Sequence, residues 1–176
     1  TLDTMSTLGI EQDKKFSLQP NCKSKYKVEP VSVAIITPIE FPEDKAYPIK
    51  GIWNYRYRLQ RCGEAKVYNT IFLANSSGET PVSRVYYPGA TNAGPLLIKD
   101  AMLSALPSAM VRAGLKDCKQ MDVSDMQVTE APHDVGTDSN ARKGVWQESW
   151  TFQLCGQRVD IPITFVPDVT GGGTSF

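Results

Sequence analysis

One stretch of this 176-residue chain occurs twice. Residues 50–78 read KGIWNYRYRLQRCGEAKVYNTIFLANSSG, and residues 143–171 read KGVWQESWTFQLCGQRVDIPITFVPDVTG. Laid on each other without a gap, they share Lys50/Lys143, Gly51/Gly144, Trp53/Trp146, Gln60/Gln153, Cys62/Cys155, Gly63/Gly156, Phe72/Phe165 and Gly78/Gly171. Eight identities in twenty-nine positions, Trp and Cys among them, mark an internal duplication. The fold must therefore accommodate the same local structure twice.

Each copy reads as a β-hairpin. From Trp53 the odd positions carry Trp53, Tyr55, Tyr57 and Leu59, and the even ones Asn54, Arg56, Arg58 and Gln60. That is strand alternation, with an aromatic face inward and a polar face outward. The second copy keeps the phase, with Trp146, Trp150, Phe152 and Leu154 on one face and Gln147, Ser149, Thr151 and Gln153 on the other. The Cys-Gly pair falls where the chain must turn, and glycine supplies the positive φ that a tight turn needs. A second strand rich in Val, Ile, Phe and Tyr follows at 65–74 and again at 158–166.

The cysteines repeat as well. Cys22 precedes Cys62 by 40 residues and Cys118 precedes Cys155 by 37. The duplication favours one disulfide per repeat, Cys22–Cys62 and Cys118–Cys155, out of three possible connectivities. Closing a loop of this size contributes about 4 kcal/mol in the chain-entropy account. Disulfides point to an oxidising compartment, so the chain is expected to be periplasmic or secreted. No C-x-x-C pair supports a four-thiolate zinc site, and neither a metal nor a cofactor is expected.

The formal net charge is zero, but residues 1–92 carry 12 Lys/Arg against 9 Asp/Glu, while residues 93–176 carry 7 against 10. A basic nucleic-acid binder has a different balance. No apolar run approaches the ~20 residues of a membrane span. No secretory signal lies in the sequence, and a numbering that starts at Thr1 is compatible with a removed leader.

Around the hairpins the chain punctuates clearly. VSVAIIT (31–37) and DMQVTEA (125–131) read as matching strands, and VSRVYY (82–87) as a further one. PIEFPEDKAYP (38–48), with three prolines, reads as a covering loop, and PHDVGTDSNARKG (132–144) as its polar counterpart. Residues 1–20 look polar and weakly patterned, and the three glycines of the terminal DVTGGGTSF suggest a flexible tail or a backbone that closely approaches a partner. One helix is predicted over about 95–113, with Asn92 as N-cap, Pro95 in the first turn, Pro107 as a kink and Gly114 at the C-terminus. The order from 65 to 130 (strand, SSG turn, strand, helix, strand) is similar to the C-terminal domain of TonB-like periplasmic proteins, over about a third of the chain.

The fold class that follows is α+β. It is antiparallel and β-rich, with hairpin-containing units at about 22–87 and 118–170 and the helix packed on the sheet. The whole of 1–176 reads as a single compact domain built from this repeat, its units at about 22–92 and 118–176.

Chemistry is sparse. The one histidine, His133, lies in a polar segment beside Asp134, without a nucleophile motif. Glu148 is the odd acid, because alternation puts it on the Trp146/Trp150 face. A carboxyl among rings is a weak candidate for a general acid, with Asp160 or Asp168 as a second carboxylate in a glycan-acting or cell-wall hydrolase. Lys50, Arg56, Arg58 and Arg61 form a candidate cationic binding patch on the outer face of the first hairpin. The reading is a small exported, non-catalytic binding protein of a bacterial envelope or secreted fraction, with another protein or an envelope component as partner. The alternatives are the hydrolase and a carrier holding an apolar ligand between the 95–113 helix and the aromatic sheet face.

Overall fold

In the computed structural model residues 2–15, 21–137 and 141–176 are described. The chain divides into two compact units, Thr1–Pro88 and Gly89–Phe176. Unit 1 contains helix α1 (Leu2–Lys15) and strands β1 (Lys27–Glu40), β2 (Lys50–Arg61), β3 (Glu64–Leu73) and β4 (Val82–Tyr86). Unit 2 contains helix α2 (Pro95–Arg112) and strands β5 (Met121–Val135), β6 (Arg142–Leu154), β7 (Gln157–Pro167) and β8 (Thr174–Ser175). Each is a helix followed by an antiparallel four-stranded meander, in the orders β1-β2-β3-β4 and β5-β6-β7-β8. The architecture is α+β and the duplicated hairpins are present. The repeating element also includes the preceding helix, so each unit starts before its first cysteine.

Both hairpins close on the Cys-Gly pair. Arg61 faces Glu64 and Leu154 faces Gln157, which leaves two-residue turns. Their backbones match, with φ of 48° and 81° at Cys62 and Gly63 and of 47° and 85° at Cys155 and Gly156. Positive φ at two successive positions is the turn whose twist suits a hairpin. For cysteine that conformation costs about 1–2 kcal/mol. The disulfides Cys22–Cys62 and Cys118–Cys155 fix each turn to the segment before the first strand, with Cα atoms 6.1 and 5.9 Å apart. The thiols are therefore bonded to one another and are not available as zinc ligands.

Helix α1 is the element that the sequence reading missed. It packs on β2 and β3 through Met5, Gly9 and Asp13, three buried residues four apart. A Cβ on Gly9 would lie 2.7 Å from Leu59 Cδ1 and 2.8 Å from Tyr57 Cε2, so the helix backbone rests directly on the sheet. Met5, Tyr57, Leu59 and Tyr68 form the buried core of unit 1. At intervals of four, one apolar residue, one glycine and one acid do not look like a hydrophobic stripe.

Helix α2 packs on β7 and β6 through Ile98, Ala101, Ala105 and Ala109. Beneath it lie Trp150, Phe152, Leu154 and Phe165, all essentially inaccessible, each worth ~1.5–3 kcal/mol of burial. Gly94, not Asn92, is the N-cap, with Pro95 in the first turn. The helix runs through Pro107 uninterrupted. It ends at Gly114 (φ 68°), where Leu115 N–H donates to Met110 and Gly114 N–H to Val111, a Schellman cap.

Three further expectations need correction. The 132–144 loop is shorter, because β5 continues through Pro132 to Val135 and β6 begins at Arg142. Register shifts on either side of His133 absorb the proline. The glycine tail is no loose end: Asp168 N–H bonds to Gly173 O, and β8 pairs with the end of β7. The 65–130 segment runs across the boundary between the two units, so its element order does not describe one unit.

Candidate functional site

Glu148 is placed as alternation predicts, on the Trp146/Trp150 face, and it is completely buried. Its Oε1 accepts hydrogen bonds from Trp146 Nε1 (2.8 Å), Thr91 Oγ1 (2.9 Å) and the Asn92 backbone N–H (2.8 Å). Its Oε2 accepts from Trp150 Nε1 at 2.7 Å. Indole and amide N–H groups only donate, so the pocket is matched to an acceptor on both oxygens. The carboxylate pins the 89–94 segment onto the sheet ahead of α2, a structural assignment. Asp160 sits on the opposite face of β7, exposed, where it accepts from Thr151 and lies 3.8 Å from Arg158. Asp168 is exposed in the turn that leads to β8. Both are exposed, whereas Glu148 is enclosed by its four donors.

The cationic residues of β2 do not act as one patch. Arg61 has the parity of the core residues and turns inward. Its guanidinium pairs with the buried Asp13 carboxylate at 2.9 Å and lies 4.3 Å over the Tyr26 ring. Asp13 also accepts from Tyr26 (2.7 Å) and Tyr68 (2.8 Å). Burial, and then the hydrogen bond to Asp13, push the Tyr26 hydroxyl up to about 12. The same two causes raise Tyr68 still further. Asp13, Arg61 and the two tyrosines thus lock the end of α1 onto the sheet beside the Cys22 carbonyl, which Arg61 also reaches. Arg56 and Arg58 do share the outer face. Arg56 is half-buried and donates to Asn69 Oδ1 at 3.1 Å, and Arg58 lies 3.7 Å from Glu29. Lys50 is exposed at the start of β2, opposite Glu40. His133 lies on β5, 3.5 Å from Glu130. Among the described residues no group of three or more His, Cys, Asp or Glu is placed to hold a metal ion, and no helix is long and apolar enough to cross a membrane.

Among the described residues, a feature suited to a ligand is a pocket of about 690 Å³ in unit 1. Its floor is the sheet face of Val33, Trp53, Tyr55 and Phe72, its walls come from Thr4 and Met5 of α1 and from Phe41 and Tyr47, and Thr80, Pro81 and Ser83 form the remaining side. Trp53 and Phe72 stack with centroids 5.6 Å apart and stay half-buried. The proline-rich loop is shorter than 38–48, because β1 runs through Pro38 to Glu40, and Ile39, Phe41, Tyr47 and Pro48 of this segment line the pocket. The sequence offered no signal for the α1 wall. A second, shallower depression of about 590 Å³ lies in unit 2 between the start of α2 and Gly171–Gly173. Comparison with protein-family models, curated proteins and solved structures returns no match for this chain.

Proposed function

We propose that this chain is an exported, non-catalytic binding protein that holds an apolar small molecule in the pocket of unit 1. One observation carries the reading. The Trp53–Phe72 stack opens into a pocket, whereas the equivalent Trp146–Phe165 stack of unit 2 is buried. A concave, mostly apolar site of a few hundred Å³ with hydroxyls at its margin is the usual form of a small-molecule site. Sequence reasoning placed an apolar ligand beneath the 95–113 helix, but there Ile98 and three alanines already meet a filled sheet face. The open space lies instead beside the first turn of α1, over Trp53 and Phe72. The two disulfides support the export half of the proposal, because such bonds persist outside reducing compartments. The hydrolase alternative gains nothing from a Glu148 whose oxygens are enclosed by donors. The inward turn of Arg61 weakens Lys50, Arg56, Arg58 and Arg61 as a joint binding surface.

Native mass spectrometry of the chain purified gently from its own host tests the ligand. A bound small molecule is expected, and Trp53→Ala should release it. A bare mass, together with Trp53 emission that no apolar compound alters, would contradict the reading. Peptide mapping with thiols blocked at lysis tests export, and free thiols at all four cysteines would count against it.

A further inference from the structure

Unit 2 has a ring at a strand position where unit 1 has none. Trp146 and Phe165 stack at 4.7 Å, and Phe176 lies against Phe165 with centroids 6.3 Å apart and planes tilted by 55°. Strand register sets its place. Val166 pairs with Ser175, so the next residue, Phe176, falls opposite Phe165. In unit 1 the corresponding pairs are Leu73 with Val82 and Phe72 with Ser83. Ser83 therefore occupies the position of Phe176, contributes no ring, and lines the pocket.

We infer that the pocket takes an uncharged aromatic ligand whose ring packs on Phe72 as Phe176 packs on Phe165. This inference rests on the reading that the pocket binds a small molecule. The ring preference follows from the duplicated scaffold: the floor is the same Trp–Phe pair, and tilted aromatic contacts are favoured on such a floor. The neutrality follows from the lining, since none of its thirteen residues carries a charge. An ion entering the site would lose hydration with no partner to replace it. The pocket is larger than one ring, and the Thr80 and Ser83 hydroxyls offer hydrogen bonds to a single polar substituent.

Calorimetric titration of the whole chain with 2-naphthol, 2-naphthoate and 1-decanol separates the possibilities. The expected result is one site for 2-naphthol, at least tenfold tighter than for either of the others. Ser83→Phe supplies the missing ring internally and should weaken 2-naphthol at least tenfold in a protein with an unchanged circular dichroism spectrum. If that variant does not fold, Phe72→Leu serves instead, and it should erase the preference for 2-naphthol over 1-decanol. Decanol binding as tightly as 2-naphthol, or naphthoate doing so, would overturn the aromatic, uncharged assignment and leave the pocket reading in place. Ser83→Phe binding 2-naphthol like the parent would also overturn it. Failure of all three probes to bind would remove the pocket reading itself.

Discussion

Replacing Glu148 with Gln distinguishes a structural carboxylate from a catalytic one. The amide oxygen goes where Oε1 is, because three donors converge there: Trp146, Thr91 and Asn92. The NH2 group then faces Trp150 Nε1, which now sits 2.7 Å from Oε2. Donor meets donor, and a fully buried indole N–H is left without an acceptor. Losing one charge-assisted hydrogen bond costs about 1.5–3 kcal/mol, and the other three bonds weaken to neutral strength. Removing a buried charge offsets part of this. The balance is a loss of ~3 kcal/mol, which for a unit of this size lowers the melting temperature by roughly 12–24 °C at 4–8 °C per kcal/mol. Thermal and urea unfolding read through tryptophan emission would measure it. In a cycle with Trp150→Phe the coupling should be ~1.5–3 kcal/mol. A variant within about 0.5 kcal/mol of the parent would refute the clamp and return Glu148 to the list of catalytic candidates.

Gly9→Ala should destabilise unit 1 by about 1–3 kcal/mol in chemical denaturation, although alanine is the better helix former by ~0.8–1 kcal/mol. The new Cβ would lie within 3 Å of Leu59 and Tyr57, and a stabilised variant would show that α1 does not rest on the sheet. Raising the pH should unfold unit 1 selectively. All seven tyrosines lie within residues 26–87, and an unfolded tyrosine ionises near about 10. Folded Tyr26 keeps its proton up to about 12, so its stabilising contribution is complete below pH ~10 and is lost as the pH rises through the folded value. Tyrosinate absorbance followed with the emission of Trp146 and Trp150 should report the loss in unit 1 first. Reducing the protein, or replacing Cys62 and Cys155 in turn by serine, should cost each unit about 4 kcal/mol, measured by denaturant titration.

The parts of the fold that were legible in the sequence are those set by local chemistry. Period-two alternation from Trp53 and Trp146 gave the strands, Cys-Gly the turns, and the duplicated cysteine spacing the disulfides. Gly114 was legible as a helix end because only a positive φ there completes the cap. Helix α1 was not legible, since what holds it is tertiary: a glycine in contact with Leu59 and Tyr57, and Asp13 paired with Arg61 some 48 residues away. Pro132 looked like a loop residue, but β5 tolerates it at a register shift. At Glu148 the sequence showed an acid on the wrong face, and its parity was right. Its partners Thr91 and Asn92 lie 57 and 56 residues upstream, where no periodicity connects them. Arg61 was assigned to the outer face with Arg56 and Arg58, although its odd position put it with Tyr57 and Leu59. The pocket inherits the gap at α1, because Thr4 and Met5 form part of its wall.

The central claim is that the Trp–Phe pair is buried in one copy of a duplicated unit and open to a ligand in the other. The most direct measurement is a titration of the isotope-labelled chain with 2-naphthol, followed by amide chemical shifts. The account predicts saturable changes that centre on Val33, Trp53, Tyr55, Phe72 and Ser83, with Trp146, Trp150 and Phe165 unmoved. Changes centred on unit 2, or none at any concentration, would contradict it.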